Sequence, residues 1–286
     1  CIRGIGSARE LARRGEESAP FRWLCGGVGV NHRMLSDFRT DHGEALDQLF
    51  TQVIASLVDQ ELVSVSRVSQ DGVRVRVSAG AGSFRREQRL RKLLAESQKH
   101  VEELRRQVEE PEKLAVEAVK QRAAQRRAAE ERQRRLEQAL AQLPELKQRQ
   151  QERASRAGQG KYGEKIREKE LRVSSSDPQA RVMKMPNGGY HPAYNVQLAT
   201  DMASRVIVGV TVTNVQSDQG SFTPMLTQVE ARTGRRPAIG VIDAGVNTNA
   251  SLTAAAAAGV TVYAPVPTRK GVRDPSARCH DDSDAV

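Results

Sequence analysis

The chain has 286 residues, of which 38% are apolar, 28% charged and only 3% aromatic. That length can bury a sizeable core without disulfide or metal staples, and so few aromatics exclude a general single-strand binder that relies on base stacking. The formal net charge of +10 favours a polyanionic partner without naming one. No apolar run reaches membrane-spanning length, and the start of the sequence does not read as a signal peptide. Cys1, Cys25 and Cys279 fit no zinc spacing and point to a reducing compartment. A start at Cys1 rather than Met reads as a fragment.

Residues 1–60 read as a helical region, with Leu46, Leu49, Phe50, Val53, Ile54 and Leu57 at helical spacing. Residues 61–82 read as strand. Val63, Val65 and Val68 precede Asp71, and Val73, Val75 and Val77 then alternate with Arg74, Arg76 and Ser78. By pattern, Asp71-Gly72 between the two runs is a tight hairpin turn. The alternative is a carboxylate within a central strand, with Gly72 letting a ligand approach closely.

Residues 83–172 change character abruptly. Leu90, Leu94, Ser97, Val101, Leu104 and Val108 follow the spacing of a coiled coil or helical hairpin. Pro111 breaks that helix. A second helix runs to Pro144 with Leu136, Leu140 and Leu143 on one face, which suggests an antiparallel pair. Here 25 Lys and Arg stand against 16 Asp and Glu, so nearly all the excess positive charge sits in this segment. Such helices suit DNA phosphates, and equally suit a solvated surface laced with i,i+4 pairs.

Residues 173–270 alternate strands with helices. Residues 194–200, Arg205 to Thr213, Ala238 to Asp243 and Val260 to Val266 read as strands; Phe222 to Arg232 and Leu252 to Ala258 read as helices. The tail is therefore α/β with at least one parallel crossover. Residues 271–286 are polar and read as disordered.

Asp243 follows the apolar run Ile239-Gly240-Val241-Ile242. An acid at the carboxyl end of a buried parallel strand points into the crevice where α/β folds place their sites, unless it caps the next helix. Asp177 reads as a turn, Asp201 as a hairpin or solvent residue, and Asp218 as the cap of the helix from Phe222. The five histidines form no metal-ligand spacing, and no nucleotide-loop, nucleophile-elbow or HExxH motif occurs.

Four blocks, in order, resemble the DDE-type transposases of bacterial insertion sequences. They are Phe21-Arg22-Trp23-Leu24-Cys25-Gly26-Gly27 through Phe38-Arg39, then Gln70-Asp71-Gly72-Val73 with Ser83-Phe84-Arg85-Arg86. Next come Asp177-Pro178 through Pro192-Ala193-Tyr194-Asn195-Val196-Gln197, and Val241-Ile242-Asp243-Ala244-Gly245 with Val262-Tyr263-Ala264-Pro265-Val266. The resemblance implies an RNase H-like mixed sheet, interrupted by the helical insertion at 83–172 and preceded by an end-binding region at 1–60. It places two catalytic, metal-holding acids on Asp71 and Asp243. The third acid, a Glu on a helix beyond the last strand, has no counterpart, and Asp281, Asp282 and Asp284 do not take its role. The chain is thus expected to stop short of that acid and to be inactive by itself.

Two Mg²⁺ (or Mn²⁺) ions in such a site stabilise the attacking and leaving oxygens during DNA cleavage and strand transfer. Mg²⁺ favours one or two carboxylates plus waters and substrate phosphate. Double-stranded DNA is the expected partner, gripped through Arg85, Arg86, Arg89, Arg105, Arg106, Arg126 and Arg127. The resemblance also implies a homo-oligomer at work in the bacterial cytoplasm, near the nucleoid, with no membrane. The competing expectation is a non-catalytic DNA-binding or coiled-coil interaction protein, which would need neither Asp71 nor Asp243.

Overall fold

A computed structural model describes residues 7–109 and 116–265. Four helices open the chain: α1 (Ala8–Glu17), α2 (Ala19–Leu24), α3 (His32–Asp41) and α4 (Gly43–Asp59). Their starts are local. Ser7 accepts a bond from the Glu10 amide, Pro20 sits in the first turn of α2, and Asn31 accepts from the Arg33 amide at 2.9 Å. α4 differs because one stripe of it is buried. Ile54 and Val58 join Val63, Val65, Val68, Ala199, Val208, Met225 and Val229 in one cluster. The helix is therefore part of the sheet's core.

A ten-residue strand, β1 (Arg67–Arg76), follows α4. After the insertion come β4 (Arg181–Lys184), β5 (Tyr190–Asp201), β6 (Ile207–Thr213), α9 (Phe222–Thr233), β7 (Ile239–Ile242), α10 (Asn249–Ala257) and β8 (Thr261–Tyr263). The six-stranded sheet has the order β4-β5-β1-β7-β8, with β6 also beside β5. β1 is antiparallel to β5 and parallel to β7, and β7 is parallel to β8, so the sheet is mixed. The expected α/β fold with a mixed sheet and a long helical segment is what the chain adopts. Residues 181–184, not expected as strand, pair with 190–193 across the turn at Pro186 to Gly189.

All the covering helices lie on one face of the sheet. Gly240 of β7 faces α9 so closely that a Cβ there would come within 2.5 Å of the Phe222 ring. Phe222, Leu226, Ile242, Val246, Ala255 and Val260 form a second cluster beneath α9 and α10. On the opposite face Val73, Val75, Val212 and Tyr263 are 44%, 48%, 61% and 59% exposed. Among the described residues no helix packs there.

The insertion leaves and returns through a two-stranded clasp, β2 (Phe84–Arg85) and β3 (Val173–Ser174), paired antiparallel. Between them lie α5 (Glu87–Glu109), α6 (Val116–Ala141), α7 (Leu143–Ala157) and α8 (Lys161–Glu168). Leu90 near the start of α5 meets Leu136 and Ala139 late in α6, whereas Val101 and Leu104 meet Ala129. α5 and α6 are thus an antiparallel pair. Pro111 lies outside the described residues, as do Asp281, Asp282, Asp284 and the segment 271–286. Pro144 does not end the helical run. It occupies the first turn of α7, where its missing N–H breaks no intrahelical bond.

Arg181 joins the insertion to the sheet, and Tyr194 ties β5 to the segment after β3. Arg181 donates to Gln142 Oε1 between α6 and α7 at 2.7 Å, and the Tyr194 hydroxyl donates to Asp177 Oδ1 at 2.8 Å. Burial, then the bond to Asp177, pushes the Tyr194 phenol well above its usual range. The folded chain therefore keeps that proton where the unfolded chain releases it. The contribution is complete below about pH 10 and is lost as pH rises beyond that. Tyr194→Phe is expected to flatten the fall in stability above about pH 10, read as denaturation midpoints at pH 8 and 11. Identical pH profiles for the two proteins would refute this.

Candidate active site

β1 and β7 run side by side in register from Arg67↔Ile239 to Gln70↔Ile242. The next residues along the chain are Asp71, within β1, and Asp243, just past the end of β7. Side chains alternate along a strand, and Gln70 and Ile242 point into the covered face. Asp71 consequently faces the open side, Asp243 directly follows the last residue of β7, and both are exposed. Each carboxylate accepts one bond from the amide that follows it, Gly72 for Asp71 and Ala244 for Asp243. The chain then turns, with the Val246 and Asn247 amides closing on the Asp243 carbonyl, and Thr248 caps α10.

The hairpin reading of Asp71-Gly72 fails. β1 passes straight through, pairing Asp71 with Leu198 and Gly72 with Gln197. A twelve-residue partner strand over 120 positions away overrides the local turn preference. Gly72 is not there to admit a ligand either. On the covered face, the place a Cβ would take is filled by the Gln197 amide, with Asp218 Oδ1 3.0 Å away. Gly72→Ala is expected to cost about 1–3 kcal/mol through overpacking. An unchanged urea midpoint would show that the space is free.

Beneath the two acids lies a polar network that the sequence did not reveal. Asp218 accepts from Asn195 Nδ2 and Gln197 Nε2, both at 2.7 Å, and pairs with Arg74 at 3.3 Å. Gln70 Nε2 reaches Gln197 Oε1 at 2.9 Å and Ser221 Oγ at 2.8 Å. Asp218 thus does not cap α9 with its side chain. Its carbonyl accepts from the Ser221 hydroxyl, while its carboxylate turns under the sheet. The available signal was phase: Asn195 and Gln197 alternate with Ala193 and Ala199, so polar side chains occupy the buried positions of β5.

Asp201 closes the β5–β6 hairpin, one of its two expected roles, but it does not face solvent. It is fully buried and accepts from the amides of Val65 and Ser204 and the Ser204 hydroxyl. Val65 has φ +58°, a costly conformation for a β-branched residue. The Asp201 carboxylate and the burial of Val65 hold it there.

The seven arginines expected to grip DNA fare unequally. Arg86 pairs with Glu170, Arg89 with Glu96, Arg105 and Arg126 with Glu130, and Arg106 with Glu102. Arg127 bonds only to the Ala123 carbonyl. The side chains of Arg85, and of the unselected Lys92, Lys99 and Arg132, have no ion pair or hydrogen bond among the described residues. The insertion is both laced by pairs and left with free cations.

Exposed carboxylates at the ends of neighbouring strand segments are donors that suit a hard cation such as Mg²⁺, which completes its shell with water and phosphate. Among the described residues no cluster of three or more His, Cys, Asp or Glu could hold a metal. No helix among them is long and apolar enough to cross a membrane. No family model and no curated protein matches this chain.

Proposed function

We propose that this chain belongs to a DDE-type transposase, acting on duplex DNA with Mg²⁺ or Mn²⁺. The observation that carries the reading is the juxtaposition of Asp71 and Asp243. They are 172 positions apart in sequence, yet each directly follows one member of the register pair Gln70 and Ile242 on adjacent parallel strands. The order of strands around them, with an RNase H-like mixed sheet split after β1 by a helical insertion, supports the same reading. Bound divalent ions would stabilise the attacking and leaving oxygens of phosphodiester exchange. The protein's own share is to hold two carboxylates in place, through the β1–β7 ladder and the Gln197–Asp218–Arg74 network beneath it. Free cations on the insertion neutralise backbone phosphates without reading sequence. Catalysis needs a third acid on an element beyond β8, and the uncovered face gives such an element a place to pack. Work as a homo-oligomer in the bacterial cytoplasm belongs to the same reading. A non-catalytic DNA-binding or interaction protein draws support from the many Arg–Glu pairs, but it leaves Asp71 and Asp243 without a purpose.

Mn²⁺ titration followed by water-proton relaxation tests the pair directly. The full chain is expected to bind Mn²⁺, and Asp71→Asn and Asp243→Asn are each expected to abolish most of that binding. Binding that survives in both variants would remove the site.

A further inference from the structure

Where α5, α6 and the segment after β3 meet, the surface folds into a cleft of about 270 Å³ lined by Leu93, Arg132, Arg135, Leu136, Ser175 and Ser176. Its floor is apolar: Leu136 belongs to the buried cluster of the insertion, and Leu93 packs against it. Its walls are cationic and hydroxylic. The Arg132 side chain has no ion pair or hydrogen bond among the described residues. Arg135 uses only its Nε, towards the carbonyl and carboxylate of Glu131 at 3.4 and 3.6 Å. Its two terminal nitrogens remain available. Glu131 is the acid beside the cleft, and it is shared with Arg134. Asp177, next along the chain from Ser176, is turned away to the Tyr194 hydroxyl and the Ala180 amide.

We propose that this cleft is a seat for a backbone phosphate of duplex DNA. This deepens the DNA-binding reading above and rests on it. Two guanidinium groups and the Ser176 hydroxyl offer a fork of donors to one phosphate, the geometry in which arginine outperforms lysine. The Leu93 and Leu136 floor suits the apolar edge of a deoxyribose. The position matters as much as the chemistry. Ser175 donates to the Ser83 carbonyl at 3.2 Å, and the Ser83 and Ser174 hydroxyls meet at 2.8 Å, so the cleft wall is part of the clasp that joins insertion to sheet. A phosphate seated there would register the duplex at the root of the insertion, whereas Lys92 and Lys99 on the outer face of α5 contact it only diffusely.

The test compares two double variants of the full chain, each losing two positive charges. One is Arg132→Gln with Arg135→Gln. The other is Arg149→Gln with Arg156→Gln on α7, whose partners are Glu145 and Glu152. Affinity for a random-sequence duplex is read by fluorescence anisotropy between about 50 and 200 mM salt. The cleft variant is expected to lose about tenfold or more in affinity and about one unit of salt slope. The α7 variant is expected to change little. Equal losses in both would mean that only net charge counts, and would overturn the seat. So would a cleft variant that binds like the parent. Circular dichroism melts confirm folding, and Arg132→Lys with Arg135→Lys is expected to restore the slope while recovering only part of the affinity. A parent chain with no salt-dependent binding at all would sink the DNA reading together with the cleft. A parent that binds, beside an unaffected cleft variant, would sink the cleft alone.

Discussion

Asparagine in place of Asp71 or Asp243 is expected to lower Mg²⁺-dependent nicking of duplex DNA by about a thousandfold or more. The substitution keeps size and hydrogen-bonding shape but removes the charge that holds a divalent ion against its hydration shell. Both positions are exposed and lie outside the packed clusters, so stability should hardly change and the loss should fall on turnover. The effect is to be measured in a chain carried on through a helix with the third acid. Residues 1–286 alone are expected to stay near background, because misplacing one ion costs orders of magnitude in rate. Strong nicking by residues 1–286, abolished by Asp243→Asn, would mean that another acid already supplies the third ligand. Nicking indifferent to both substitutions would remove the site altogether.

The second large effect concerns the insertion. β2 and β3 end on the pair Arg85↔Val173, so residues 86–172 can be replaced by Asn-Gly as a two-residue hairpin. Val173 is fully buried against the insertion's leucines and should become Thr in the same variant. The sheet cluster around Val68, Val208 and Met225 contains no residue of the insertion. The shortened chain is therefore expected to keep a cooperative melt. Its DNA affinity at about 50 mM salt should fall by ~100-fold or more, with a much flatter salt slope. Binding and slope retained in the shortened chain would show that the grip lies elsewhere, for instance on the N-terminal helices.

Periodicity made most elements legible before any coordinates. The helical stretches in the insertion, the strand–strand–helix–strand–helix–strand order of the tail and the acid at the end of β7 all follow from runs with period 3.6 or 2, which neighbouring residues determine by themselves. Reading Asp71 and Asp243 as a pair also came from sequence, but only through the resemblance of the blocks that contain them. Local pattern taken alone favoured a hairpin at Asp71.

Tertiary structure decided what depends on distant partners. Whether Asp-Gly bends or stays extended was settled by β5, whose Leu198 and Gln197 complete the ladder. Whether Asp218 caps a helix or turns beneath the sheet depended on Asn195, Gln197 and Arg74 converging from two strands. Asp201 became a buried anchor because the Val65 amide needed an acceptor there. Which arginines stay free for phosphate depended on where glutamates fell across a helical hairpin, as Arg105 meets Glu130 and Arg132 meets none. The common reason is physical. A residue's conformation is biased by its neighbours, but the partner of a buried charge or a strand amide is chosen by whichever group the fold brings within about 3 Å, and short-range pattern carries no record of that.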